Sequence, residues 1–189
     1  GEYILPHLAN RPLALLRAPS GIAGEMFFQK SFPNYLPAHL NQKNLVDGTT
    51  IFYLRNIRGL ISLVQFGAIE FHPWGSRMPR PDKPDLLIWD LDPDPTVPWP
   101  EVLGAAFLIR DFLSGHGLHP LVKTSGGKGL HLILFIKRTH DWESMREFTK
   151  AVAREVAASN PSRLVITSSK QKRKGKIFID WMRNGEGST

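Results

Sequence analysis

Residues 86–182 alternate short apolar runs with two longer helical segments, and this order limits the possible fold more than any other feature of the chain. The strand-like runs are 86–91, 118–123, 129–137 and 176–182, and the helical segments are about 100–114 and 141–158. The order β-α-β-β-α-β is the split βαβ arrangement of RRM-like domains. We therefore predict an α+β fold in which residues 86–189 form an antiparallel sheet with helices on one face.

This topology brings distant parts of the chain together. Right-handed crossovers and a central hairpin place the first and third strands in the middle of the sheet, with the fourth strand beside the first. The end of the first strand carries Asp90 and Asp92, the third strand begins near His131, and the fourth carries Asp180. We expect these side chains to share one patch.

Residues 1–85 are less regular and predict a small N-terminal α/β subdomain. Short β-like runs surround "RGLISLVQFG", which predicts a helix with Leu60, Ile61 and Val64 on one face. Residues 73–85 contain four prolines and predict a loop or a boundary that cannot pair as a strand.

The chain is basic and has no cysteine. Its net charge of +7 over 189 residues favours a polyanionic partner such as nucleic acid. The lack of cysteine excludes disulfides and thiolate metal sites, so any metal must bind oxygen or imidazole ligands. No apolar run approaches the ~20 residues of a membrane span, and no signal peptide opens the chain. We expect a soluble cytosolic protein without a membrane partner.

Asp90 and Asp92 share one face of their strand because side chains alternate along it. An isolated pair before prolines also fits a strand that ends in a turn. Asp180 lies inside an apolar strand, where the alternative is a buried salt bridge to Arg183 or Lys176. Three carboxylates at one spot favour a site for Mg²⁺ or Mn²⁺, and two such ions support in-line phosphoryl transfer.

The segment "KTSGGKGLHL" joins the two middle strands. Its glycines allow a tight turn that brings backbone amides close to an anion, and Ser125 and Lys128 add a hydroxyl and a charge. The alternative is an ordinary glycine hairpin with a solvated lysine. A single histidine such as His131 is often only a structural hydrogen-bond donor. Because His131 is expected beside three carboxylates, we expect it to stay protonated and to bind a phosphate.

Three further features carry weaker signals. A basic run precedes Asp180 and fits either a solvated face or a surface for a triphosphate or a nucleic-acid backbone. It comprises Lys170, Lys172, Arg173, Lys174 and Lys176. Phe27 and Phe28, next to Lys30, face opposite ways on a strand, so at most one should be exposed for stacking on a base, and core packing is favoured. His72 follows a strand-like run and precedes a proline, a position that is typical of a structural histidine in a turn.

Several segments together resemble the polymerase domain of bacterial ligase D, a member of the archaeo-eukaryotic primase superfamily. They are "LLIWDLDPDP", "KTSGGKGLHL", "KIFIDWMRNGEGST", "LPHLANRPLALLRAPSGIAGEMFFQK" and "IEFHPWGS". They occur in the family's order over nearly the whole chain. The first three contain the superfamily's D-x-D, S-G-G-K-G-x-H and late-strand Asp motifs.

The resemblance implies a role for each candidate residue. The metal ligands would be Asp90, Asp92 and Asp180, and the nucleotide contacts would be Ser125, Lys128 and His131 on the phosphates and His72 near the sugar. Arg183 and the lysines before Asp180, including Lys170 and Lys176, would add phosphate contacts. We expect residues 86–189 to be the catalytic palm of one polymerase domain.

The resemblance also implies a reaction and partners. We expect addition of ribonucleotides or deoxynucleotides to a primer 3′ end at DNA breaks in non-homologous end joining, with two Mn²⁺ or Mg²⁺ ions. The implied partners are DNA ends, the Ku end-binding protein, and ligase and nuclease modules of the same polypeptide, in the nucleoid region of a bacterial cytoplasm. Relative to the family, we expect this chain to lack an N-terminal segment that holds a 5′-phosphate and a basic segment after "RNGEGST".

Two other functions fit the same residues. A catalytically reduced nucleic-acid-binding module would keep the RRM-like fold and the basic surface. A metal-dependent phosphoesterase would use three carboxylates and a histidine, although it has no triphosphate for the glycine loop to cradle.

Overall fold

The computed structural model describes residues 1–32 and 34–188, and the chain divides into two compact units, residues 1–81 and 82–188. Among the residues described, no helix combines the length and the hydrophobicity needed to cross a membrane. Each unit has its own buried core.

The first unit contains short strands and two helices. In chain order these are α1 (Leu5–Leu8), β1 (Leu13–Arg17), β2 (Phe27–Gln29), β3 (Leu40–Asn44), β4 (Thr50–Leu54), α2 (Ile57–Gln65), β5 (Ala68–Pro73) and β6 (Ser76–Arg77). One sheet has the order β2-β1-β5, and β3 pairs with β4. Asn56 begins α2 by accepting hydrogen bonds from the backbone amides of Arg58 and Gly59.

Two sequence predictions for this region are wrong. Helix α2 buries Leu60 and Leu63, whereas Ile61 and Val64 are 49% and 55% exposed. A short helix with apolar residues on several sides has no unique buried face until its neighbours are fixed. Residues 73–85 contain the boundary between the two units, which was one of the two alternatives predicted for them. They nevertheless pair as strands, because β6 pairs with β7 (Arg80–Pro84) in a two-stranded ribbon. Both strands of such a ribbon are edges, where proline is tolerated.

The second unit has the predicted β-α-β-β-α-β order with one added strand. Its elements are β8 (Leu86–Pro93), α3 (Trp99–Gly115), β9 (Leu121–Thr124), β10 (Leu130–Phe135), α4 (Trp142–Ser159), β11 (Leu164–Val165) and β12 (Ile177–Asp180). The sheet order is β11-β12-β8-β10-β9, which confirms the predicted placement of the first and third strands at the centre. The added β11 runs parallel to β12 at one edge.

The core of this unit lies between one face of the sheet and the two helices. Leu87, Trp89 and Leu91 alternate along β8 and are fully buried among residues of α3 and α4. The Trp89 indole donates a hydrogen bond to the carbonyl oxygen of Thr149 on α4. Side chains at the intervening β8 positions therefore point to the opposite, open face of the sheet. We call this second unit the palm.

Candidate active site on the open face of the palm

Three candidate residues form one row across adjacent strands. Asp90 of β8 pairs in register with His131 of β10 on one side and with Asp180 of β12 on the other. Residues directly opposite in antiparallel strands present their side chains on the same face. The structure thus brings residues from three separate segments together, as the predicted topology requires.

Asp90 is buried between two cationic or potentially cationic side chains. Only 8% of the residue is exposed. Arg183 donates a hydrogen bond from Nε to Asp90 Oδ2 at 2.7 Å, and His131 Nε2 lies 3.4 Å from Asp90 Oδ1. A buried carboxylate without such partners would be costly. Arg183 and His131 therefore provide the polar partners that this buried carboxylate needs.

Asp92 lies two residues after Asp90 on β8 and is more exposed than Asp90. Its Oδ1 is 3.4 Å from Lys128 Nζ, and its Oδ2 accepts a hydrogen bond from Arg173 Nη2. Lys128 also donates to the carbonyl oxygen of Pro93 at 2.7 Å. The glycine loop and the basic segment therefore meet at Asp92.

Asp180 does not form the salt bridge that was the alternative for it. Its Oδ1 accepts a hydrogen bond from the Met182 amide at 2.8 Å, while Arg183 bonds Asp90 and Lys176 donates to the carbonyl oxygen of Pro161. Burial raises the pKa of Asp180, although the Met182 bond and Arg183 oppose this shift. Positive charge beside Asp180 would stabilise its ionised form.

The expectation that carboxylates keep His131 protonated is wrong for the free protein. Burial lowers the pKa of His131, and Lys123 and Arg183 lower it further, against the opposing effect of Asp90. Asp90 already shares its charge with Arg183, and the other nearby cations repel a proton on the imidazole. The Nδ1 atom of His131 is buried and has no hydrogen-bond partner within the described part of the chain.

The glycine loop approaches β8 more closely than any side chain would allow. A Cβ atom at Gly129 would collide with the carbonyl oxygen of Leu91. Ser125 Oγ donates to the Gly129 carbonyl oxygen at 3.0 Å, and Gly126 has a φ of +85°. These contacts fix a tight hairpin beside Asp92 with the exposed Ser125 and Lys128 at its tip.

Two residues of the site were missed from the sequence. Lys123 pairs with His131 and extends the row to the edge strand β9. Asn184 is buried, and its side-chain amide accepts from the Ile88 amide at 2.8 Å and donates to the Ile88 carbonyl at 2.6 Å. Asn184 thus continues the β8 ladder where β12 ends, and it holds the adjacent Arg183 beside Asp90. The register of the hairpin could have indicated Lys123, whereas no sequence pattern indicated Asn184.

The residues of the basic run have three different placements. Lys170, Lys172 and Lys174 lie in the turn region before β12, outside the strands. Arg173 reaches Asp92, and its guanidinium also lies 4.8 Å from the Phe178 ring centroid. Lys176 is turned toward Pro161, so this structure does not bring its ammonium to the carboxylates.

The first unit presents its own set of candidate residues on the β2-β1-β5 sheet. Phe28 and His72 contact each other edge to face with ring centroids 5.2 Å apart, and His72 Nε2 lies 2.9 Å from Glu70 Oε2. Lys30 lies two residues after Phe28, the spacing of side chains that share one face of a strand. His72 lies within β5, one residue before the strand ends, so it is not the turn histidine that its sequence position suggested.

The expectation that at most one of Phe27 and Phe28 is exposed is wrong. They are 42% and 59% exposed, because β2 is a short edge strand. Phe27 packs against the Arg17 guanidinium, which lies 5.2 Å from its ring centroid. Phe28 is the more accessible aromatic surface.

The donor set of the palm fits a hard divalent cation, but its oxygens are occupied by protein cations. Within residues 1–32 and 34–188, no three His, Cys, Asp or Glu side chains are arranged to hold one ion as they stand. Asp90 and Asp92 direct carboxylate oxygens at Arg183 and Arg173. Carboxylate oxygens are the ligands that Mg²⁺ and Mn²⁺ prefer. An ion bound here must therefore compete with these two guanidinium groups.

A separate cavity of about 340 Å³ lies elsewhere in the palm. It is lined by Trp142, Glu143, Arg146 and Glu147 of α4 together with Gly185 and Glu186. None of the row residues borders this cavity, so it is not part of the candidate site.

Comparison with known proteins gives a consistent relationship. The family model described as "LigD, primase-polymerase domain" matches residues 1–189. The multifunctional non-homologous end joining protein LigD of Pseudomonas aeruginosa is 37% identical over 191 residues, which cover 100% of this chain and 23% of that protein. The bifunctional LigD of Bacillus subtilis is 28% identical over 191 residues, covering 100% of this chain and 31% of the relative.

A solved structure has the same fold. The polymerase domain of Mycobacterium tuberculosis ligase D, determined in complex with DNA, matches with a TM-score of 0.90 and 29% identity over 99% of this chain and 69% of that one. The chain spans about a quarter to a third of the length of the curated relatives it matches. The full-length family match and the shared fold establish that this chain belongs to the LigD primase-polymerase domain family.

Proposed function

We propose that this chain is a metal-dependent nucleotidyltransferase that adds ribonucleotides or deoxynucleotides to a primer 3′ end at DNA breaks. The observation that carries the proposal is the cross-strand row of His131, Asp90 and Asp180, with Asp92 on the same face. A row of oxygen donors beside an anion-binding hairpin suits the transfer of a phosphoryl group.

The three aspartates are proposed as ligands for two Mn²⁺ or Mg²⁺ ions. Such ions, when bound, activate an attacking hydroxyl and stabilise charge on the leaving pyrophosphate. Asp90 supports this role because it is central in the row, and Asp180 supports it because burial raises its pKa and favours a nearby positive charge. Arg183 and Arg173 neutralise the carboxylates in the free protein. When released from them, both guanidinium groups become available to phosphate oxygens.

The β9–β10 hairpin is proposed as the triphosphate cradle. Ser125 and Lys128 offer a hydroxyl and an ammonium at its tip, and His131 follows in the row. Lys170, Lys172 and Lys174 are proposed contacts to phosphates of the nucleotide or of DNA, since they form a cationic stretch in the segment that also supplies Arg173. Lys176 is also a proposed phosphate contact, and its ammonium must first leave the carbonyl oxygen of Pro161.

The exposed face of the first unit is proposed to contact the nucleotide and the nucleic acid. The exposed Phe28 ring can stack on a base, and His72, oriented by Glu70, can donate to a sugar hydroxyl. Lys30 supplies a positive charge two residues after Phe28. Phe27 is the weaker candidate for stacking because its ring packs on Arg17. The P. aeruginosa and B. subtilis relatives are named as end-joining proteins, so we also propose DNA ends, Ku and linked ligase and nuclease modules as partners in a bacterial cytoplasm.

Primer extension tests the proposal. We expect the purified chain with Mn²⁺ to extend a primer–template by one or a few nucleotides, and Asp90→Asn and Asp180→Asn to reduce the rate at least about 100-fold. Asp111→Asn is the matched control, because Asp111 pairs with Arg110 on the exposed surface of α3, away from the row. Wild-type rates in both site variants would refute the assignment.

The second candidate, a binding module without catalysis, is favoured by the net charge of +7. It predicts salt-dependent DNA binding but no Mn²⁺-dependent incorporation under the same conditions.

A further inference from the structure

Lys123 extends the row of candidate metal ligands to the edge of the palm sheet. It pairs in register with His131, which pairs with Asp90, which in turn pairs with Asp180. Because cross-strand partners share a face, the Lys123 side chain lies on the same open face as the carboxylates.

Lys123 differs from the other cations of this site in having no anionic partner. Arg183 is paired with Asp90, and both Arg173 and Lys128 are paired with Asp92. Within the part of the chain that the structure describes, the Lys123 ammonium forms no ion pair and no hydrogen bond. The carboxylates of the site therefore leave the Lys123 ammonium unpaired among the described residues.

The surroundings of Lys123 make this unpaired charge unfavourable. Burial lowers the pKa of Lys123 and Arg183 repels its charge, while Asp90 opposes both effects. The residue as a whole is exposed on the edge strand, so a ligand in solution can reach it. A bound anion would relieve this cost.

We propose that Lys123 binds phosphate oxygens of the incoming nucleoside triphosphate, an inference that rests on the proposed nucleotide addition. Lys123 faces His131 across the hairpin, and Ser125 follows Lys123 by two residues, just after β9 ends. In this proposal a polyphosphate chain bound at the hairpin contacts Lys123 together with Ser125 and Lys128. Lys123 would be a binding residue of the reaction that lies in the segment "KTSGGKGLHL" but outside its S-G-G-K-G-x-H motif.

Equilibrium binding to the full chain tests this role with and without Mn²⁺. The ligands are a nucleoside triphosphate, inorganic tripolyphosphate and the unphosphorylated nucleoside. We expect Lys123→Met to weaken both phosphate ligands about tenfold, the effect of one charge-assisted contact, and to leave nucleoside binding unchanged. Lys123→Arg should retain most of the affinity. The matched control is Lys137→Met, since Lys137 is an exposed lysine just beyond β10.

Each other outcome overturns a definite part of the inference. Wild-type affinity for triphosphate in Lys123→Met would exclude the contact. If Lys123→Met weakened primer–template binding and left triphosphate binding unchanged, Lys123 would contact the nucleic-acid backbone instead. A chain that binds triphosphate through Lys123 yet never extends a primer would refute the proposed nucleotide addition while leaving the anion site intact.

Discussion

Arg183 donates a hydrogen bond from Nε to Oδ2 of Asp90 at 2.7 Å, although 93 positions separate them in the chain. The contact joins the segment after β12 to the central strand of the palm, and it neutralises a carboxylate that is only 8% exposed. If Asp90 binds a divalent cation, as we propose, that ion competes with this guanidinium for the carboxylate. Substitution of Arg183 should then change both the stability of the free protein and its response to the metal.

Arg183→Met should lower the free energy of unfolding by about 2 kcal/mol, because Asp90 would lose its closest opposite charge. Mn²⁺ should restore more stability to this variant than to the wild type, since the ion would then supply the missing charge. Urea unfolding with and without Mn²⁺ measures both effects. Arg110→Met is the control, and its exposed pair with Asp111 should be worth less than about 1 kcal/mol. Equal Mn²⁺ effects in wild type and Arg183→Met would contradict this link.

Gly129→Ala should destabilise the palm by about 1–3 kcal/mol, because its Cβ would collide with the Leu91 carbonyl oxygen and push the hairpin away from β8. Triphosphate binding should weaken with it. Chemical unfolding and nucleotide titration provide the two measurements. Gly115→Ala, at the end of α3 with open space around it, should be neutral or slightly stabilising. A Gly129→Ala protein with wild-type stability and binding would show that the close approach is unimportant.

Asn184→Ala should cost about 1–3 kcal/mol, because it leaves the Ile88 amide and carbonyl without their side-chain partner. The substitution should also loosen Arg183, so that Arg183→Met adds little further Mn²⁺ stabilisation in the Asn184→Ala background. A double-mutant cycle in urea between the two positions measures this coupling. Asn44→Ala, which removes an exposed hydrogen bond to Thr50, is the control. Strict additivity of the two substitutions would argue against a positioning role.

The basic turn before β12 should contribute salt-dependent DNA affinity. Replacing Lys170, Lys172 and Lys174 with Gln should reduce the slope of log K against log salt by about 0.9 for each DNA phosphate that is no longer neutralised. Fluorescence anisotropy with a primer–template over a salt series gives the slope. An unchanged slope would mean that these lysines only solvate the surface.

The sheet order of the palm could be predicted because it follows from general rules acting on a clear pattern. The strands are short and apolar, the helices have recognisable ends, and right-handed crossovers leave one order, which is the order found. That order also placed Asp90, His131 and Asp180 on neighbouring strands. The ribbon of β6 and β7 and the buried face of α2 depend on tertiary neighbours, and local patterns did not indicate them.

The charges of the site were harder to predict than its location. Carboxylates near His131 suggested a raised pKa, but burial together with Lys123 and Arg183 has the opposite effect. The direction depends on distances among side chains from separate segments, which a sequence does not contain. Asn184 was missed for the same reason, since its importance comes from the backbone of Ile88 to which it bonds. Lys123 could have been found from the register of the hairpin, which pairs it with His131.

The most direct measurement is the number of Mn²⁺ ions that the chain binds. Electron paramagnetic resonance of free Mn²⁺ can count bound ions in the presence of a primer–template and a non-hydrolysable nucleoside triphosphate. We expect two ions per chain in the wild type and in Asp111→Asn, and fewer than one in Asp90→Asn. Two ions in Asp90→Asn, or none in the wild type, would contradict the assignment of the palm row as the metal-dependent site.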